Sequence, residues 1–372
     1  MKRIALALLA VAACCGPARA QDQAAVLDSI QYAGFRFFWY LANPANGLVP
    51  DRFLGSSQTA GDVASTASTG FGLSAVCVGI DHGWITRAQG RQRVLTTMQT
   101  FWNGPQGPAT SGIIGYKGLF YHWLDMSAAT RRVDWNAELS TIDTALLFAG
   151  MMHCREYFDD PLDADEATIR ALADSITQRA DWRWMHLGRY LETGTPADSV
   201  GLQMGWNPSS GFSTFGKWRG YNEAMIMYLM AIGSPTHPIP ATDWAYWTGG
   251  YSWATNYAAV GPYVTFPPLF GHQYSHCWID FRRIQDAYMQ GKGITYWENS
   301  RRATLSQIAY GRQYGSFESV LHYDYSDSLW GWTACDGPTG SGTLNGYYAR
   351  GAPGGSDDGT IAPTAAISAI AF

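Results

Sequence analysis

Apolar residues recur along this chain mostly at the three- and four-residue spacing of a helix, and runs that alternate one by one, as a half-buried strand would, are scarce. The pattern predicts helices over residues 22–41, 66–80, 86–102, 137–158, 165–179, 222–232, 276–290 and 297–312. Residues 137–153 and 222–232 are apolar nearly all round, whereas residues 165–179 carry one charged face. The first kind belongs inside a ring of helices and the second outside it. Between them lie connections rich in Gly, Pro, Ser and aromatic residues, as at Trp206-Asn207-Pro208 and residues 211–218. Two concentric rings of helices account for that alternation, which predicts an all-α fold. No short repeat, low-complexity tract or linker divides the chain, so one domain is expected over residues 21–372. Residues 361–372 begin another apolar segment with no cap behind it, and a further helix is expected beyond Phe372.

The first residues have a different character. Lys2 and Arg3 precede an apolar run over residues 4–13, and Ala18-Arg19-Ala20 fits a small-residue cleavage site, so residues 1–20 read as a signal peptide of a periplasmic or secreted protein. A competing reading takes Val11-Ala12-Ala13-Cys14 as a lipoprotein box, which would leave Cys14 lipid-anchored and make a membrane surface a partner. Removal of the signal leaves Cys77, Cys154, Cys277 and Cys335, without a C-x-x-C pair; they read as buried thiols, with one disulfide allowed. With 47% hydrophobic and 15% charged residues, most of the chain should be packed. A net charge of −5 without a run of like charges offers no footprint for nucleic acid.

Two acids fall in otherwise apolar helical patterns. At about 100° per residue, Asp143 shares a stripe with Leu139, Leu146, Leu147 and Gly150, and therefore faces inward. A buried carboxylate costs several kcal/mol unless it is paired or hydrogen-bonded, so its presence needs a reason. An Arg or backbone-amide partner is the structural one. Glu223 opens the apolar segment 222–232, where a helix N-terminus favours an anion and burial opposes it. Two acids on facing inner helices meet the demand of glycoside hydrolysis: one protonates the leaving oxygen, and the other activates water or attacks the sugar. The aromatic fraction of 14% fits loops that stack on sugar rings, or ordinary packing.

A third cluster is Gly271-His272-Gln273-Tyr274-Ser275-His276-Cys277-Trp278, followed by Asp280. His272 and His276 stand four apart, but nothing resembles H-E-x-x-H, so no metal and no cofactor is expected. Hydrogen bonding to sugar hydroxyls and a structural role both remain open for the histidines. Asp280 reads as an orienting acid, and Asp336 as a sugar ligand or a turn former.

Taken in order, Phe71-Gly72-Leu73, residues 118–126, residues 138–147, residues 220–228, Gly233-Ser234-Pro235-Thr236-His237-Pro238, residues 271–281, residues 298–304 and residues 357–364 resemble the bacterial glycoamylase-like family, glycoside hydrolase family 144. That resemblance implies an (α/α)6 barrel and an inverting endo-β-1,2-glucanase acting on a glucan oligo- or polysaccharide. It implies Glu223 as general acid and Asp143 as the base-side carboxylate, with Glu138 a further, less closely matched catalytic acid. Pocket roles follow for Tyr121, His122, Trp218, Arg219, His272, His276 and Trp278. The final helix of the family pattern is absent after Phe372. Transglycosylation or exo action on the same fold, a polysaccharide lyase using Tyr121 and the histidines, and a non-catalytic glycan-binding protein are the alternatives.

Overall fold

The structure, a computed structural model, describes residues 23–54, 57–255, 257–315, 324–337 and 346–372. The expected signal peptide and lipoprotein box lie outside the described residues. Helices α1 (Gln23–Tyr40), α2 (Thr66–Asp81), α3 (Arg87–Asn103), α4 (Thr141–Tyr157), α5 (Ala164–Gln178), α6 (Trp182–Thr193) and α7 (Met225–Ile232) follow one another through the first two thirds of the chain. Shorter helices α8 (Asp243–Thr248) and α9 (Ala287–Lys292), the long α10 (Tyr296–Tyr314) and the short α11 (Pro363–Ser368) complete the set.

Burial sorts these helices into two layers. Helix α4 buries twelve of its seventeen residues and packs against α2 on one side and α7 on the other, which makes α2, α4 and α7 the inner layer. Helix α5 buries only Glu166, Ile169, Ala173 and Ile176, one stripe of an amphipathic helix, and lies outside with α1 and α3. The closest inner contact is between backbones. A Cβ on Gly150 of α4 would lie 2.0 Å from the Gly70 carbonyl oxygen of α2, so only glycine allows the two helices to approach this far.

Small antiparallel strands tie down the N-terminal ends of the inner helices. Strand β1 (Val63–Ser65) runs into α2, and Ser65 caps that helix by accepting the Ser68 N–H. A four-stranded sheet of β2 (Gly115–Tyr116), β3 (Leu119–Tyr121), β5 (Leu139–Ser140) and β6 (Gly205–Trp206) runs into α4, and β4 (Trp123–Asp125) pairs with β1. The register sets Phe120 opposite Ser140 and Tyr121 opposite Leu139.

The structure corrects two expectations. The helix expected over 137–158 starts at Thr141, because residues 139–140 join the sheet and Ser140 is its N-cap. The helix expected over 276–290 does not form: a 3-10 turn, Tyr274–Cys277, is followed by irregular chain, and Asp286 caps the short α9 through the Met289 N–H. Consequently, the twelve-helix ring implied by the resemblance is not closed among the described residues. The chain after α7 runs through Pro, Gly and aromatic residues in short turns and two-residue strands, β7 (Trp253–Ala254) and β8 (Tyr263–Val264) among them. The fold remains predominantly helical, as expected.

Candidate active site

The N-terminal ends of α2, α4 and α7 point the same way, and the candidate acids gather there. His122 follows β3 and meets Glu138, just before β5, through backbone and side chain: its N–H donates to the Glu138 carbonyl at 2.9 Å, and its Nδ1 lies 2.8 Å from Glu138 Oε1. The other ring nitrogen, Nε2, faces Asp143 Oδ1 at 3.5 Å. Asp143 sits in the first turn of α4, where the Ser140 hydroxyl donates to its Oδ2 at 2.5 Å. Trp123 stacks on the His122 ring with centroids 3.7 Å apart and donates its indole N–H to Asp51.

These contacts set the charges. Burial pulls His122 down, but the charge of Asp143 and the hydrogen bond to Glu138 outweigh it and carry its pKa up to about 9. Burial pushes Asp143 above the usual carboxylate range, against the opposing pull of His122 and the Ser140 hydroxyl. His122, Glu138 and Asp143 offer donor atoms within 4.8 Å of one another. Because each imidazole nitrogen is turned to a carboxylate, the arrangement is built to hold protons; a cation would require a neutral ring with one nitrogen bare.

Glu223 stands in a turn just ahead of α7 rather than in the helix itself. Helix α7 lacks a side-chain cap of its own, and its Ile226 N–H donates instead to Ser275 Oγ at 3.2 Å. Gly220, at φ 83°, turns the chain into this segment, where a Cβ would meet the Gly250 carbonyl oxygen at 2.8 Å. Burial raises Glu223 to about 7, its own backbone N–H opposes the rise, and the charge of Asp143 adds to it. The two acids are therefore close enough to feel each other.

The remaining expected residues divide. Trp218 is half-buried beside this end and donates its indole N–H to Thr141 Oγ1 at 2.9 Å. Tyr121 is not in the pocket: neighbouring residues on an extended chain face opposite ways, and Tyr121 is fully buried over the Arg131 guanidinium. Arg219 is exposed and lies over the Tyr246 ring of α8. His272 is buried and stacks on Tyr221, and burial lowers its pKa to about 3, so it braces the Glu223 segment from within the aromatic interior. His276 pairs with Ser300 Oγ at 3.0 Å and packs against Phe281. Trp278 donates to Ser74 Oγ and packs on Phe71. It also lines a cavity of about 580 Å³ at the C-terminal halves of α4 and α7, whose walls include Phe148, Met152 and Leu229. That apolar space lies away from the acids at the helix N-termini.

Sequence reasoning missed Asp51, Arg52 and Tyr347. Arg52 bonds both Asp51 and Asp336, so Asp336 ties strand β9 (Cys335–Asp336) to the rim of the site. Tyr347, on the paired β10 (Tyr347–Tyr348), is raised by burial and then by the charges of Glu223 and Asp51. Tyr274 is raised by burial and then by Glu223. Asp280 faces away, bonded to Arg282.

Residues 216–372 match the family model of glycoamylases, described as "Putative glucoamylase". Over 93% of its length the chain is 26% identical to an exo β-1,2-glucooligosaccharide sophorohydrolase (non-reducing end) of Parabacteroides distasonis, and it spans about half, 47%, of that relative. A solved "putative glucoamylase" from Bacteroides uniformis superposes with a TM-score of 0.76 at 26% identity, covering 95% of this chain and 78% of the other. The endo-β-1,2-glucanase of Chitinophaga pinensis, solved with sophorotriose and glucose, shares the fold at a TM-score of 0.75 and 23% identity, covering 95% and 82%.

Proposed function

We propose that this chain hydrolyses a β-linked glucan, with Glu223 as general acid and Asp143 as the base that takes a proton from the attacking water. One observation carries the reading. Two carboxylates at the same end of neighbouring inner helices are both raised by burial, Glu223 to about 7, but Asp143 has the His122 imidazole facing it at 3.5 Å to pull it back down. Near neutral pH such a pair holds one proton to give and one carboxylate to receive, which is the division of labour glycoside hydrolysis requires. Glu138 enters as the partner of His122 rather than as a third proton donor. Half-buried Trp218, at the same end of the helices, is our candidate for stacking on a sugar ring.

The names of the relatives support a β-1,2-glucan as substrate, with inverting endo cleavage as our first reading. Exo release of a disaccharide is the second, favoured by the sophorohydrolase relative. Incubation with β-1,2-, β-1,3-, β-1,4- and α-1,4-glucans tests both. A ladder of β-1,2 oligosaccharides supports endo action, and disaccharide from the first minutes supports exo action. Longer transfer products would mark a transglycosylase, and unsaturated uronates from a uronate polymer would replace the proposal with a lyase. Proton NMR of fresh product, showing the α anomer first, checks inversion. We also propose export with cleavage after Ala20, which mass spectrometry of the mature N-terminus tests; a diacylglyceryl Cys14 would refute it.

A further inference from the structure

We propose that His122, bonded to Glu138 through Nδ1 and turned to Asp143 through Nε2, is a positioning residue that stays positively charged at neutral pH and so keeps the buried Asp143 ionised as base. This rests on the hydrolytic reading of Asp143 given above. Three features of the structure lead to it.

The ring is immobilised on every side. Its backbone is bonded to both Glu138 and Thr66, its face is covered by Trp123, and its two nitrogens meet two different carboxylates. A neutral imidazole has one N–H and one bare lone pair, so it could satisfy only one of two carboxylates and would set a lone pair against the other. A doubly protonated ring satisfies both. The charged groups around it agree in sign: Glu138 from the segment before β5, Asp143 from α4 and Asp51 from the segment before β1 are all acids. Arg131, the cation that feels Glu138, is itself buried and bonded to the Ala137 carbonyl, and Arg52 is engaged with Asp51 and Asp336.

The second feature is the cost that the charge relieves. Asp143 is only 6% exposed, and among the described residues its side chain meets, besides His122, the Ser140 hydroxyl. A hydroxyl alone is a weak counterpart for a buried carboxylate, and an imidazolium facing it is the stabilising charge. Glu138 then fixes the ring's orientation from behind, as a third group does in relayed acid–base sites.

The third feature is the contrast with Glu223. Among the described residues no cation faces that acid in the way His122 faces Asp143, and the charge of Asp143 raises it. Ionisation of Asp143 thus favours the proton on Glu223, so one imidazolium distinguishes the two carboxylates.

Nitrogen-15 NMR of the histidine side chains, with His122→Gln used to assign the resonance, reads the charge without any turnover. Both ring nitrogens are expected to stay protonated at pH 8, with titration toward about 9. A ring that is neutral at pH 7 overturns the proposal whether or not the protein cuts glucan. The second measurement is the pH profile of kcat and KM for the folded His122→Gln variant. Its acid limb should move up by a unit or more and kcat should fall by about 10²-fold, the scale of a mis-set acid–base group, with KM little changed. A wild-type profile in this variant overturns the positioning role. Glu138→Gln should lower the His122 titration; an unchanged His122 titration there would refute the assignment of Glu138. If the wild-type protein cuts no glucan, the hydrolytic reading falls by that result, and the NMR spectrum still decides the charge.

Discussion

Ser140 meets Asp143 twice: its hydroxyl donates to Asp143 Oδ2 at 2.5 Å and its oxygen accepts the Asp143 backbone N–H at 3.3 Å. The cap of the innermost helix and the candidate base are therefore one structure. Ser140→Ala removes both contacts. A lost N-cap costs about 1 kcal/mol, so a modest fall in melting temperature is expected. Loss of the hydroxyl also removes a group that holds Asp143 down, so the acid limb of the rate profile should rise. A lowered melting temperature with an unmoved limb would separate the cap from the tuning of the acid.

A different constraint acts deeper in the bundle. Gly150→Ala would drive a methyl group into the Gly70 backbone, and overpacking of this kind costs roughly 1–3 kcal/mol. Gly34, in α1, has nothing within 4 Å of its would-be Cβ, and Gly34→Ala should be neutral or stabilise by up to about 1 kcal/mol. Thermal melts of the two variants should move in opposite directions. Equal melting temperatures would show that α2 and α4 can separate freely.

The inner and outer helices were legible because burial leaves a periodic mark: α1, α2, α3, α5 and α10 lie within about two residues of the expected bounds. Helix α6 was missed although Asp181 caps it and Gly194 ends it in a left-handed conformation. The start of α4 was written in Ser140-Thr141-Ile142-Asp143, a cap followed by an acid, but the apolar residues before it hid the boundary. Asp143 and Glu223 stood out as acids among apolar neighbours. Their environment did not, because the His122–Glu138 pair spans sixteen residues and depends on the register of β3 against β5. The same short strand explains Tyr121: adjacent to His122 in sequence, it faces the opposite way.

Glu223 makes stability depend on pH in a direction that can be worked out. Its carboxyl has a folded pKa raised from 4.5 to about 7, so the stabilising contribution is fully present below about 4.5 and is lost as pH rises through about 7. Glu223→Gln cannot ionise. It should therefore melt close to the wild-type protein at pH 4 and above it at pH 8, with the gap opening between these values. A constant gap across the range would mean that Glu223 is not buried as described.

The kinetic consequences of the two acids differ, and this difference is the sharpest test of their roles. Glu223→Gln removes the proton given to the leaving oxygen, and Asp143→Asn removes the acceptor for the water proton. General acid and general base steps each contribute about 10²–10⁴-fold, so both variants should lose turnover on that scale while binding of oligosaccharide persists. A sugar fluoride leaves without protonation. It should restore much of the rate to Glu223→Gln and little to Asp143→Asn, which still lacks a base for the water. The pH profiles separate in the same sense: Glu223→Gln should lose the alkaline limb that wild type shows near 7, and Asp143→Asn the acid limb. Near-normal turnover of Glu223→Gln on natural glucan would overturn the assignment of the acid, and rescue of Asp143→Asn by the fluoride would exchange the two roles.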